Sequence, residues 1–311
     1  MAEQIYQLPT DAVWFITGCS SGIGKALAQH IASKPAHRLV ATARTPSTGL
    51  AFLPDSPNTL KLALDVTSRA SLDAAVAAAL ERFGRLDVVV NNAGYALVGD
   101  TENAADADAR RVLDTNFWGT VDLTKHAMRV LREDNGANGG QQGGVVVNVT
   151  SLGGRAAFPG NAFYHAAKFA VEGFTESVAK EVRPEWNVHF CLIEPGGVQT
   201  GFVKSGQKTI APHPAYAAPD TPARVLDSYR ENPEATKNWA DPDVIAAAIY
   251  GVVGSGRVIP LRVPLGPDSW GVLKNANIKD GENLDSLKEL AISAGKPGQL
   301  ESVQEALSLQ F

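Results

Sequence analysis

The chain has 311 residues, 44% hydrophobic and 20% charged, enough for one large α/β domain or two small ones with a substantial core. A formal net charge of −5 with no block of Lys or Arg excludes an electrostatic footprint for nucleic acid. The two cysteines, Cys19 and Cys191, form no disulfide framework and fit a reducing compartment.

Met1 to Asp11 is short and polar, and the first apolar run, Val13–Ile16, has only strand length. Neither a secretory signal nor a membrane span is expected, and the chain reads as soluble and cytoplasmic. Strands are expected at Val13–Thr17, Arg38–Ala43, Thr59–Leu64, Leu86–Asn91, Gly144–Thr150, Val188–Ile193 and Arg257–Leu261. The β-branched runs Val88–Val90 and Val145–Val147 suit central parallel strands covered on both faces. Between them, Ile23/Leu27/Ile31, Leu72/Val76/Leu80/Phe83 and Val171/Phe174/Val178 recur at helical spacing. This alternation predicts an α/β fold, a doubly wound parallel sheet of seven strands with helices on both faces and ligands at the strands' carboxyl ends. The sequon Asn148-Val149-Thr150 falls inside an expected buried strand and is set aside.

Two stretches break the rhythm. Arg132–Gly144 is polar and glycine-rich and reads as a floppy surface insertion. Residues 197–240 show no clear strand, several prolines and the scattered aromatics Phe202, Tyr216, Tyr229 and Trp239, as in a lid or substrate loop. Beyond Pro264 come short helical patterns near Leu284–Ala291 and Val303–Leu307. The expected division is a catalytic unit over 1–262 and a C-terminal extension over 263–311.

At the first strand-to-helix junction stands Thr17-Gly18-Cys19-Ser20-Ser21-Gly22-Ile23-Gly24. Gly18 permits a tight turn, and Gly22 and Gly24 open the helix so that free N–H groups face a pyrophosphate. Alone, such a turn is also an ordinary tight connection. The second strand ends in Arg44, where NAD-binding folds commonly place an acid. A guanidinium pairs with a ribose 2′-phosphate, with Ser20 and Ser21 as further donors, so NADP(H) is the expected cofactor. As an alternative, Arg44 is a solvated loop cation.

Tyr164 and Lys168 are four apart on an expected helix and share a face. A phenol has a pKa of about 10, and a nearby ammonium is expected to lower it by roughly 1–3 units toward a usable base. Ser151, at the end of a strand, is placed to donate to a substrate oxygen. Tyr-x-x-x-Lys alone is common on helices; with the serine and the glycine turn it points to moving a proton on oxygen while carbon exchanges a hydride.

These motifs resemble the short-chain dehydrogenases/reductases over about residues 12–262, together with Asp65-Val66, Asn91-Asn92-Ala93-Gly94, Asn116, Pro195-Gly196 and Thr200. The resemblance implies a Rossmann-type sheet and a catalytic set of Asn116, Ser151, Tyr164 and Lys168. It also implies cofactor contacts from Gly18, Ser20, Ser21, Gly22, Ile23, Gly24, Arg44, Asp65, Asn91, Tyr164, Lys168, Val198 and Thr200. Within it, Asp65 meets the adenine, Asn116 anchors a proton-relay water and Thr200 meets the nicotinamide amide. The glycine turn with Ala41-Thr42-Ala43-Arg44 looks most like the hydroxysteroid and retinol dehydrogenase branch. His165, Ala167 and Gly197 depart from the usual pattern.

No His-x-x-x-His pair or Cys/His cluster supports a metal site, and His165 reads as a helix-surface residue. The expected activity is NADP(H)-dependent interconversion of a ketone or aldehyde and an alcohol on a bulky apolar molecule such as a steroid, retinoid, terpenoid or aromatic polyketide. The alternatives are a dehydratase, epimerase or cyclase on the same scaffold, and a non-catalytic cofactor sensor. The family resemblance implies a homodimer or homotetramer through helices near Phe117–Leu131 and Phe163–Ala179.

Overall fold

Within β1 (Val13–Ile16), Val13 and Phe15 pack to one side of the sheet and Trp14 and Ile16 to the other, all fully buried. Only a strand covered on both faces accommodates such a run. The computed structural model describes residues 5–201 and 206–308. Phe202 lies outside them.

After β1 come α1 (Gly22–Ala32), β2 (Arg38–Ala43), β3 (Thr59–Ala63), α2 (Arg69–Phe83) and β4 (Val88–Asn91). A short strand β5 (Ala96–Val98), α3 (Asp106–Leu113), a π-helical turn at Asp114–Trp118 and α4 (Gly119–Arg129) follow. Then come β6 (Gly144–Val149), α5 (Ala162–Glu181), β7 (Val188–Pro195), β8 (Gln207–Thr209), α6 (Pro222–Glu231) and α7 (Pro242–Val253). β9 (Arg262–Leu265), α8 (Pro267–Ser286), α9 (Lys288–Ser293) and α10 (Gln299–Ser308) complete the described chain.

Seven strands form one all-parallel sheet in the order β3-β2-β1-β4-β6-β7-β9, the doubly wound Rossmann-type fold. α1 and α7 cover one face through Leu27, Ile31, Ile245 and Ile249. α2, α4 and α5 cover the other through Leu72, Val76, Leu123 and Val178. Strand order reverses between β1 and β4, so their carboxyl ends flank the crevice where this class of sheet binds ligands.

Three expectations are corrected. The last strand lies at Arg262–Leu265, not Arg257–Leu261. Residues 257 and 258 are instead engaged by the N-terminal segment, through the Tyr6 N–H on the Arg257 carbonyl and an antiparallel bridge between Ile5 and Val258. Pro264 is tolerated because β9 is an edge strand, and the sheet continues across residue 262. Second, Gln207–Thr209 is a strand after all, pairing in parallel with β5. Its polar Gln-Lys-Thr sequence carries no apolar alternation to announce it. Third, the stretch after Arg132 is anchored. Asn135 is fully buried; its Nδ2 donates to the Leu86 and Gly143 carbonyls and its Oδ1 accepts from the Leu86 N–H.

Candidate active site

The turn after β1 is built by close backbone approach. Gly18 has φ +69°, and a Cβ there would come within 2.9 Å of Ala93 Cα. At Gly24 a Cβ would fall 2.3 Å from Asn92 Nδ2 and 2.5 Å from the Gly18 carbonyl oxygen. Asn92 holds this geometry: its Nδ2 donates to the carbonyls of Thr17 (2.8 Å) and Gly18 (3.2 Å). In return, the Thr17 hydroxyl accepts from the backbone N–H groups of Asn92 (2.9 Å) and Ala93 (3.0 Å). The turn is thereby tied to the loop after β4. Ser21 precedes α1 without a side-chain capping bond, so the first N–H groups of the helix stay available to an anion.

Ser21, Gly22 and Ile23 form one wall of a cavity of about 430 Å³ that runs on to Ser151, Tyr164 and Lys168. Ser151 closes β6 and starts the short turn Leu152–Gly154, its Oγ accepting from the Gly153 N–H at 3.0 Å. Tyr164, in the first turn of α5, lines the same cavity, and the Ser151 hydroxyl is close enough to act on its phenol. One turn on, buried Lys168 donates from Nζ to the Val149 carbonyl at 2.7 Å and lies 5.8 Å from the Tyr164 ring centre.

The electrostatics differ from expectation. Burial pushes the Tyr164 phenol up, with the Ser151 hydroxyl and the Arg230 charge opposing. The Lys168 ammonium is pushed down to about 8 by burial, with the Glu172 carboxylate opposing. The expected acidification of Tyr164 by Lys168 is therefore not found: burial is the largest influence on each group, and the charge acting on the phenol is that of Arg230. His165 is also corrected. It is buried, with Nδ1 bonded to the Gly153 carbonyl (2.8 Å) and Nε2 accepting from the Phe158 N–H (3.1 Å). Both ring nitrogens are used in stapling the loop after β6 onto α5, so the ring is a brace and not a surface residue.

Pro195, Gly196, Val198 and Thr200 line the same cavity, and a Cβ at Gly22 would just touch Thr200 Cγ2 at 3.4 Å. Gly197 is matched to Trp239, whose indole carbons lie 2.7 Å from where a Cβ would be. Arg44 is exposed just beyond β2, and its charge reaches Asp65. The Asp65 carboxylate is held low by bonds from the Thr67 hydroxyl (2.7 Å) and N–H (2.9 Å). Ser20 is exposed in the turn, against Gly49.

Seven predicted residues, Gly18, Ser20, Gly24, Arg44, Asp65, Asn91 and Asn116, do not line the cavity. Asn91 is buried in the sheet, donating to Asn148 Oδ1 (2.8 Å) and Thr124 Oγ1 (3.2 Å); its neighbour Asn92 lines the cavity instead. Side chains alternate across a strand, so adjacent asparagines have opposite surroundings. Asn116 sits in the π-helical turn and clamps Tyr95 through both its amide atoms, at 2.8 and 3.0 Å. Sequence reasoning missed Arg230 in α6 and Asp268 and Val272 in α8, all on the cavity wall. Asp268 accepts from the N–H groups of Gly197 (2.7 Å) and Ser269 (2.9 Å). No short motif marks residues that arrive from separate helices. Among the described residues, no His/Cys/Asp/Glu group can hold a metal, and no helix is long and apolar enough to cross a membrane.

The glycine cradle, the uncapped start of α1 and the contiguous cavity fit a dinucleotide. Residues 12–211 match the model of the short chain dehydrogenase family. The chain is 45% identical to oxidoreductase calM of Penicillium decumbens over 290 residues, 92% of this chain and 94% of that protein. It is 36% identical to retinol dehydrogenase 8 of Bos taurus, covering 79% of each chain, a more distant likeness. A crystal structure of a short-chain dehydrogenase from Streptomyces avermitilis superposes with a TM-score of 0.79 at 29% identity, covering 92% of this chain and 99% of the other. The chain belongs to the short chain dehydrogenase family, a family of oxidoreductases.

Proposed function

We propose that this protein is an NADP(H)-dependent reductase of a ketone or aldehyde on a bulky, largely apolar molecule, with Tyr164 as the proton donor. The observation that carries the reading is the placing of Ser151, Tyr164 and Lys168 together on the wall of a cavity that continues to the glycine turn. A nicotinamide cofactor, when bound, supplies the hydride. Ser151 and Tyr164 would hold the substrate oxygen between two hydroxyls and polarise its carbonyl. Because burial raises the phenol, Tyr164 is protonated at neutral pH, the state a donor needs in the reducing direction. Lys168 would hold ribose hydroxyls and, together with the backbone braced by Asn116, return a proton to Tyr164.

Arg44, exposed and without an acid at the end of β2, supports NADP(H) through charge-assisted bonds to a 2′-phosphate, and Ser20 and Ser21 add donors. Asp65 would meet the adenine, and Gly18, Gly22, Ile23, Gly24, Val198 and Thr200 would line the rest of the cofactor's path. The apolar wall of Leu152, Phe158, Leu226 and Trp239 supports a bulky substrate. The likeness to retinol dehydrogenase 8 is in keeping with that class.

The test follows NADPH absorbance against a panel of bulky carbonyl compounds. Tyr164→Phe is expected to retain NADPH binding and lose turnover by about 10²–10⁴-fold; undiminished turnover would remove the assignment. In the same assay Arg44→Asp is expected to weaken NADPH far more than NADH, and equal losses would refute the 2′-phosphate contact. Conversion of substrate with no NADPH consumed would move the protein to the dehydratase, epimerase or cyclase class.

A further inference from the structure

Arg230 stands in the last turn of α6, on the wall of the cavity that also holds Ser151 and Tyr164. Its side chain is only 16% exposed, and its Nη1 is buried without a hydrogen-bond partner among the described residues. Asp227, one turn back, is 3.7 Å from Arg230 Nη1 and 3.4 Å from Arg224 Nη1, so one carboxylate is shared by two guanidinium groups and properly hydrogen-bonds neither. Arg224 has a second anchor, Asp100 Oδ1 at 2.9 Å, which ties α6 to the loop after β5. Among the described residues, Arg230 has no such anchor.

A guanidinium cannot shed its proton, and a buried cation without full partners is costly. The other charged groups described on the wall are already engaged. Lys168 donates to the Val149 carbonyl, and the Asp268 carboxylate is taken up by the Gly197 and Ser269 N–H groups. Arg230 is thus a cation on the cavity wall with an unfilled buried donor, close enough for its charge to be felt at Tyr164 and His165.

Building on the carbonyl-reductase reading, we infer that Arg230 is a specificity residue that binds an anionic oxygen on the substrate, a carboxylate or an ionised enol or phenol carried near the reacting carbonyl. The substrate class narrows to apolar carbonyl compounds with an acidic oxygen. Fork-shaped donors suit a carboxylate or a chelated enolate better than a point charge does.

Binding of non-reducible ligands to the NADP⁺-loaded protein tests this independently of turnover. Benzoate, cinnamate and 2-naphthoate are each titrated by calorimetry against their own primary amides. At least one carboxylate is expected to bind about 10- to 100-fold more tightly than its amide, the range of a charge-assisted hydrogen bond. Arg230→Gln is expected to abolish that preference and Arg230→Lys to retain part of it, with NADP⁺ affinity unchanged in both. If no carboxylate is preferred by the wild-type protein, the inference is overturned, whether or not the variants fold. It is equally overturned if Arg230→Gln keeps the preference and loses only turnover, since the guanidinium would then serve Tyr164. Carboxylate preference in a protein that oxidises no NADPH with any carbonyl would instead leave the anion site standing and defeat the reductase reading.

Discussion

Lys168 is charged or neutral according to a balance between burial, which favours the neutral amine, and Glu172, which favours the ammonium. With the group brought down to about 8, the ammonium is present below that pH and lost above it. Tyr164 moves the other way and keeps its proton over the same window. The kcat/KM for carbonyl reduction, which reports free-enzyme groups, is therefore expected to be level below about pH 8 and to fall as pH rises through it. A stopped-flow or steady-state pH profile checks this, and a profile level to pH 10 would contradict it. The four-residue spacing of Tyr164 and Lys168 was legible because helical geometry alone puts i and i+4 on one face. The sign of the phenol's shift was not, because desolvation depends on what covers the pair in space. Asn91 and Asn92 make the same point: the motif was visible, but which of the two faces the cavity follows from the pleat of β4.

At the level of elements, the glycine turn is the part most completely readable from the chain. Gly18 needs a positive φ, and Gly24 has no room for a side chain between Asn92 and the Gly18 carbonyl. Gly24→Ala is expected to destabilise the fold by about 1–3 kcal/mol, the usual cost of overpacking, and to weaken NADPH binding at least tenfold. Thermal melting and fluorescence titration measure both; an alanine variant with wild-type values in each would show that the cradle is looser than it stands. Elements that are defined by partners rather than by pattern were misread. β8 has no apolar alternation and exists because β5 offers it an edge. β9 starts five residues later than its apolar run suggests, because the Tyr6 segment occupies 257 and 258.

Across the whole molecule, two large apolar side chains remain on the surface of the helical segments that the family resemblance implies as subunit contacts: Trp118, 52% exposed, and Phe169, 44% exposed. Exposed aromatics of this size mark contact surfaces, and we propose that they lie between copies of the chain. Sedimentation velocity at micromolar concentration is expected to show a dimer or tetramer, and the double substitution Trp118→Glu with Phe169→Glu a smaller species. A wild-type monomer would reject the interface. α8 has a second role at this scale, since Asp268 and Val272 carry the C-terminal extension into the cavity wall.

The local and periodic part can be read from residue order alone: the β–α alternation, the glycine turn and the order Ser151, Tyr164, Lys168. Backbone sterics and helical or strand period act over a few residues and are written directly in the residue types. The charge environment of Tyr164, the brace made by Asn92 and Asn116, and the arrival of Arg230 and Asp268 at the cavity come instead from how the chain packs. Those depend on burial and on contacts between residues such as Asn92 and Thr17, 75 positions apart, or Asp268 and Gly197, 71 apart, and no spacing rule encodes such distances.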